Sequence, residues 1–465
     1  MQHPHTLLRN LLQQPVKTGH TPSMKNKSYY GDEIAFVKTD NVHDNTINNN
    51  FKDYLSVKGN ALIAGSMLKK GDILTTIIGA TFDVVPRSSI VLENILPANI
   101  NQNIALIRVE SQKIVPEFLS IYLNSKFGKT YLRYLSRQTG QINLNCREVE
   151  QLIVPLFSKK FQKLIANIVK KAYQRQNDSK SLYIATEKYL LSTLGFENFT
   201  PSECRISIKG IANSFLSSNR IDAEYYQPKY DEIERKINVF NTIKIKNLIN
   251  YPVSSGITPK AGGEAYTKRN DGIPFVRAID IINNRVELEN CNYIKKEIHN
   301  GVLKRTKLKK NDVLFSIAGT VGRCGIFDYD VEANINQAVS ILRFDENTIK
   351  RLYLVCYFNS FIGKLYVSKY SRQGLQTNLN LNEVSNLCVP IICYNIQQKI
   401  AVDIQHSFVL SQQSRNLLDT AKHAVEIAIE DNENKAIKYL ENETINCIKF
   451  SAHLAHKVVK KRQKP

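Results

Sequence analysis

The sequence predicts an α+β protein: two homologous globular domains and two long antiparallel helices of coiled-coil character, related by an internal pseudo-twofold repeat. Three observations carry this. Residues 131–155 (YLRYLSRQTGQINLNCREVEQLIVP) return as residues 366–390 (YVSKYSRQGLQTNLNLNEVSNLCVP), with 13 identities over 25 positions; chance at average residue usage gives about one or two. Upstream, Asn124, Ser125, Gly128 and Lys129 recur as Asn359, Ser360, Gly363 and Lys364, and KKGDIL at 69–74 recurs as KKNDVL at 309–314. Each copy is then followed by a long polar segment whose apolar residues recur every three to four positions.

Each copy opens on a stretch punctuated by Gly and Pro, residues 19–42 in the first and 255–281 in the second. Short apolar pieces at 34–37, 73–78, 275–276 and 313–317 read as strands between turns. Leu, Ile, Phe and Tyr at helical spacing predict one helix over 116–135 and one over 348–370. Each globular domain is therefore a mixed α+β body of about 150–170 residues, near the usual domain size.

The segments 157–194 and 395–429 carry apolar seams (Phe161, Ile165, Ile168, Ala172; Ile396, Ile400, Ile404, Phe408) and predict helices, each on the order of 50 Å long at ~1.5 Å per residue. A polar patch interrupts each seam midway, at 174–180 and 411–416. A lone helix cannot hide such a stripe, so the two either pack on each other or each caps its own domain. An antiparallel pair avoids a long return of the connecting chain and puts the domains at opposite ends. Gly195 is placed to cap the first helix, with Pro201 following. The expected boundaries are a domain at 1–156, a helix at 157–200, a second domain at 201–392 with a lead-in at 202–245, a helix at 393–445, and a basic tail at 446–465.

The chain has 465 residues, 43% hydrophobic and 23% charged, which is the composition of a folded protein. Its formal charge of +21 is compatible with an acidic partner, foremost nucleic acid, or with a basic surface kept for solubility. Twofold character matches the symmetry of duplex DNA. The eight cysteines form no CxxC pair, and the nine histidines form no HExxH cluster, so reduced thiols and a cytoplasmic setting are expected. The N-terminus MQHPHTLLRNLLQQ lacks the apolar core of a signal peptide, and no apolar run approaches the ~20 residues of a membrane span.

Catalytic signatures are missing. There is no Asn/Asp-Pro-Pro-aromatic turn for an amino-methyltransferase, no GxxxxGK[ST] phosphate loop, no GxSxG elbow and no Cys–His pair. Asp72 and Asp312 each follow two lysines and precede an apolar strand, a pattern of turn acids rather than magnesium ligands. No cofactor and no metal are expected. The pattern is that of a binding and positioning protein.

Arg, Lys, Gln and Asn are the side chains that bond base edges and phosphates. The repeated core supplies Arg137, Gln138, Gln141, Asn143 and Asn145, and again Arg372, Gln373, Gln376, Asn378 and Asn380. Residues identical in both copies cannot tell two different half-sites apart, so they suit phosphate contact or loop architecture. Sequence reading belongs where the copies diverge: Lys25, Lys27, Tyr29, Tyr30 and Arg87 in the first, Lys260, Lys268, Arg269, Arg277 and Arg323 in the second.

The layout resembles the specificity subunit of Type I restriction–modification systems. The residues that carry the resemblance are DAEYYQPKYDEI at 222–233, the repeated SRQ…NLN…VP blocks, AVEIAIEDNENKAI at 424–437, and the glutamines Gln162 and Gln397 early in each long helix. The resemblance implies two target-recognition domains, each reading half of a split double-stranded DNA sequence. It implies helices that set the gap and dock two methyltransferase (modification) subunits, which bind S-adenosylmethionine, and a restriction (motor-nuclease) subunit. No membrane partner is implied. DAEYYQPKYDEI precedes only the second copy. Two rivals remain open: a recognition module detached from a fused restriction–methylation enzyme, and a sequence-tolerant nucleic-acid scaffold, whose affinity would fall with salt without distinguishing sequences.

Overall fold

In the computed structural model, residues 3–260, 263–372 and 377–443 are described. The chain divides into two units, one of residues up to 177 with those from 410 onward, the other of residues 178–409. Both divisions fall inside the long helices, Lys159–Thr193 and Tyr394–Glu430.

The first unit is built on an antiparallel four-stranded sheet ordered Lys17–Thr18, Ile104–Ile107, Ile73–Thr76, Ser88–Ile90. Beside it, Tyr30–Val37 pairs in parallel with Ala98–Ile100 and antiparallel with Tyr54–Leu55. The turn acid expected at Asp72 closes the entry to the central strand. Its carboxylate accepts from Lys69 N at 2.7 Å, Gly71 takes φ +87°, and Arg108 donates through Nε and Nη2, both at 2.6 Å. That double hydrogen bond raises the Arg108 pKa and fixes the end of the neighbouring strand.

The second unit repeats this construction. Its sheet runs Ser254–Ser255, Val339–Leu342, Val313–Ser316, Cys324–Ile326, and then takes in the hairpin Arg285–Val286/Ile281–Ile282. Asp312 accepts from Lys309 N at 2.8 Å and from Arg343 Nε and Nη2 at 2.6 and 2.5 Å, with Asn311 at φ +72°. Ile273–Val276 pairs in parallel with Asn334–Ile335, as its counterpart does.

The single helix expected in each copy is two. Pro116–Asn124 and Lys126–Leu135 break at Ser125, and Arg351–Asn359 and Phe361–Tyr370 break at Ser360. Each serine is extended and accepts from the glycine three residues on, Gly128 N at 3.2 Å or Gly363 N at 3.1 Å, capping the second helix. The chain turns so tightly that a Cβ on Gly128 would lie 2.2 Å from the Tyr122 carbonyl oxygen, and on Gly363 1.9 Å from that of Tyr357. Apolar periodicity runs straight through the break, which is why it predicts one helix.

The long helices match the apolar-seamed segments 157–194 and 395–429 to within two residues, ending short of the boundaries drawn at 200 and 445, and they pair antiparallel. In the second unit Ser179 Oγ donates to Ser407 O at 2.7 Å, while Lys399 Nζ lies 4.4 Å from the Tyr189 ring centre. Residue number rises along one helix as it falls along the other. In the first unit Phe161, Ile165, Val169 and Ala172 share a core with Leu418, Ala421, Val425 and Ala428. Both helices run unbroken through their polar patches. Gly195 ends the first at φ +74°, with Gly195 N bonding Ser192 O and Phe196 N bonding Leu191 O, the paired bonds of a glycine cap. Among the described residues no helix is long and apolar enough to cross a membrane.

Candidate nucleic-acid interface

In the first copy the SRQ…NLN block folds as a hairpin that leads into a short capped helix. Arg137–Thr139 pairs with Gln141–Asn143 across Gly140 at φ +76°, and Gln141–Asn143 also pairs with Ile78–Gly79. Asn145 then caps Cys146–Glu150: its Oδ1 accepts from Glu148 N at 2.9 Å, and Glu148 accepts from Asn145 N at 2.7 Å. Arg137 Nε lies 3.1 Å from the same carboxylate. In the second copy Asn380 and Glu383 form the same reciprocal cap at 2.8 Å each way, with Arg372 Nε 2.9 Å from Glu383. The two arginines and the two cap asparagines therefore brace the loop. Gln138, Gln141 and Asn378 are exposed and Asn143 is half-buried. Gln373 and Gln376 lie outside the described residues, as does the basic tail.

The divergent candidates fall into two groups. Lys25, Lys27, Lys260, Lys268 and Arg269 are exposed, on a turn, in short 3-10 helices or in the irregular chain beside them. Lys27 and Tyr30 line a cleft of about 480 Å³ with Met24, Lys52 and Tyr54. Tyr30 OH donates to Pro22 O at 2.7 Å, and Tyr29 lies under Lys58. The second group is tied inward. Arg277 donates to both oxygens of buried Asp280 at 3.0 Å and to Asn290 O at 2.8 Å, a pairing that raises its pKa. Arg87 Nε donates to Asp83 O. Half-buried Arg323 stands at the place equivalent to Arg87, its backbone N bonded to Ser316 Oγ at 2.8 Å as Arg87 N is to Thr76 Oγ1 at 2.9 Å.

The lead-in braces the second copy's repeated block. Arg220 pairs with Asp222 at 2.6 Å and donates Nη1 to Tyr370 O at 2.9 Å, two residues before the Arg372–Asn378 bridge. This guanidinium, hydrogen-bonded to Asp222, holds that carboxyl below the usual carboxylate range.

Three repeated polar networks escape apolar periodicity. Buried Asn124 donates to Asn45 Oδ1 and Ser88 O, both at 2.7 Å, and accepts from Ser88 N at 3.2 Å. Asn359 donates to Cys324 O at 2.6 Å and to Asn284 Oδ1, and accepts from Cys324 N at 3.0 Å. Gln162 and Gln397 accept from Val115 N and Lys350 N, each at 2.9 Å, anchoring the long helices to the globular bodies. A third pair, Asn99 and Asn334, belongs to a five-residue identity, ANINQ at 98–102 and 333–337. A self-comparison at the constant offset of 235 residues exposes all three.

Residues 238–418 match the family model described as Type I restriction modification DNA specificity domain. Over 333 residues the chain is 23% identical to the Type I restriction enzyme EcoBI specificity subunit of Escherichia coli, covering 70% of this chain and 65% of that protein. It is 29% identical over 169 residues to the Type I restriction enzyme HindI specificity subunit of Haemophilus influenzae, 35% of each chain. The matches thus span less than two thirds of these relatives' lengths. Among solved structures, the Type I restriction–modification S subunit from M. genitalium is similar at 12% identity and TM-score 0.38, over 94% of this chain and 96% of that one. The chain is thus similar to specificity subunits of Type I restriction–modification systems, with residues 238–418 matching the model of a DNA specificity domain.

Proposed function

We propose that this chain is the sequence-recognition subunit of a Type I restriction–modification complex. Two target-recognition domains, at about 1–156 and 201–392, each read one half of a bipartite duplex, and the long helices set the unread gap. The helices also dock methyltransferase subunits, two in number, and a restriction subunit joins them; the chain itself is assigned no catalytic step. The observation that best supports this is the twice-built scaffold. Asp72–Arg108 and Asp312–Arg343 lock equivalent strands, Asn124 and Asn359 equivalent bends, and Gln162 and Gln397 equivalent helix starts, in a chain of charge +21. Two similar frames with differing basic surfaces suit two different half-sites on one duplex.

Comparing adenine methylation across the genome with and without the gene tests this. Deletion is expected to erase one split motif with a fixed gap; a methylome unchanged by deletion contradicts the proposal. Inserting four residues in the first long helix, about 6 Å of rise, is expected to widen the gap and leave the bases unchanged. Binding that falls with salt yet ignores sequence would instead favour the nucleic-acid scaffold.

A further inference from the structure

Four of the five residues of ANINQ have structural reasons to be identical in both copies. Ala98, Ile100 and Ile335 are buried strand residues, and Ala333 is buried just before its strand. Asn99 donates to Asn60 Oδ1 at 2.8 Å and Ile63 O at 2.9 Å; Asn334 donates to His299 Nδ1 at 3.2 Å and Leu303 O at 2.9 Å. Asn101 and Asn336 close the turn by accepting from Asn103 N and Ala338 N at 3.2 and 3.1 Å. The fifth residue, Gln102 or Gln337, is exposed, and no packing requires the two to match.

Each glutamine stands beside the same kind of loop, held through its side chain in the first unit and through its backbone in the second. A Gly-x-Thr-Pro loop lies against the turn so closely that a Cβ on Gly19 would be 1.7 Å from Ile100 O, and on Gly256 1.8 Å from Ile335 O. Thr21 Oγ1 donates to Gln102 Oε1 at 2.6 Å, and Thr258 Oγ1 accepts from Gln337 N at 3.5 Å. The loop is held from behind by a tyrosine, Tyr30 OH to Pro22 O at 2.7 Å and Tyr266 OH to Pro259 O at 3.2 Å. With Oε1 of Gln102 engaged, its amide offers Nε2 hydrogens, which suit an oxygen that only accepts. Differing basic residues flank the loops, Lys25 and Lys27 in one unit, Lys260 and Lys268 in the other.

Resting on the DNA-recognition reading, we infer that Gln102 and Gln337 are equivalent backbone clamps. Each donates its amide to a DNA phosphate and fixes the register of its unit, while the divergent neighbours supply sequence preference.

The test uses the full-length chain purified with any native partners. A duplex selected from a random pool, and the same duplex with one half-site scrambled, are titrated against parent, Gln102→Ala, Gln337→Ala and Gln102→Lys. Each alanine variant is expected to bind both duplexes about ten-fold more weakly, with their affinity ratio unchanged. Gln102→Lys is expected to restore binding, with a salt slope steeper by about one. Alanine variants within two-fold of parent, an altered ratio, or a lysine variant as weak as alanine would each overturn the clamp. A parent that selects no duplex overturns the recognition reading itself, and the clamp with it.

Discussion

Helices Lys126–Leu135 and Phe361–Tyr370 occupy the same place in the two units, yet one is open and the other covered. In the second unit Lys369 is 7% exposed, its Nζ 2.7 Å from Glu234 and 4.8 Å from the Tyr225 ring centre. Tyr370 OH donates to Glu234 at 2.9 Å. Both partners come from the lead-in, which includes helix Pro228–Ile237. At the place of Lys369 the first unit has Tyr134, 79% exposed. The scaffold beneath is the same in both, so the covering is an addition to a common frame. Identity at buried positions marks what holds the frame, and difference marks what each unit does alone.

That distinction can be broken in order of size. Removing one partner of a buried ion pair costs most, so Asp72→Ala and Asp312→Ala should each lower stability by about 3–5 kcal/mol. The two losses should be similar, read as denaturant midpoints; one neutral variant would refute the shared frame. Next, Asn124→Ala and Asn359→Ala take the side-chain acceptor from the backbone N–H of Ser88 and of Cys324 and should cost about 2–3 kcal/mol each. Lys369→Ala should cost about 1–2 kcal/mol by removing the cation paired with Glu234 and its contact with Tyr225, whereas Tyr134→Ala should stay within about 0.5 kcal/mol. Equal effects at these two positions would erase the difference drawn above. Among the positions shared by the two frames the smallest loss is that of Ser125→Ala or Ser360→Ala, about 1 kcal/mol for a lost helix cap, measured by thermal melting.

Much of the frame was legible in the residues. The long helices, their antiparallel seam, the Gly195 cap and the turn acids Asp72 and Asp312 follow from spacing and turn chemistry. The bend at Ser125 was not, because Ser-x-x-Gly preserves the apolar period while changing the backbone direction. Nor were the networks of Asn99, Asn124 and Gln162: a buried amide looks like any polar residue until its partners, up to 79 residues away, are in place. At the candidate interface, repetition cast Arg137 and Arg372 as phosphate contacts or loop residues, and the structure pairs them with Glu148 and Glu383. It could not show that Arg277 is held by Asp280, since that pairing depends on a short turn whose geometry composition does not encode.

Exchanging residues 1–156 for the matching segment of a relative with a known target, and sequencing the resulting methylome, tests the central claim most directly. The account predicts a motif changed in one half, with the other half and the gap retained. A motif altered in both halves, or in neither, would contradict it.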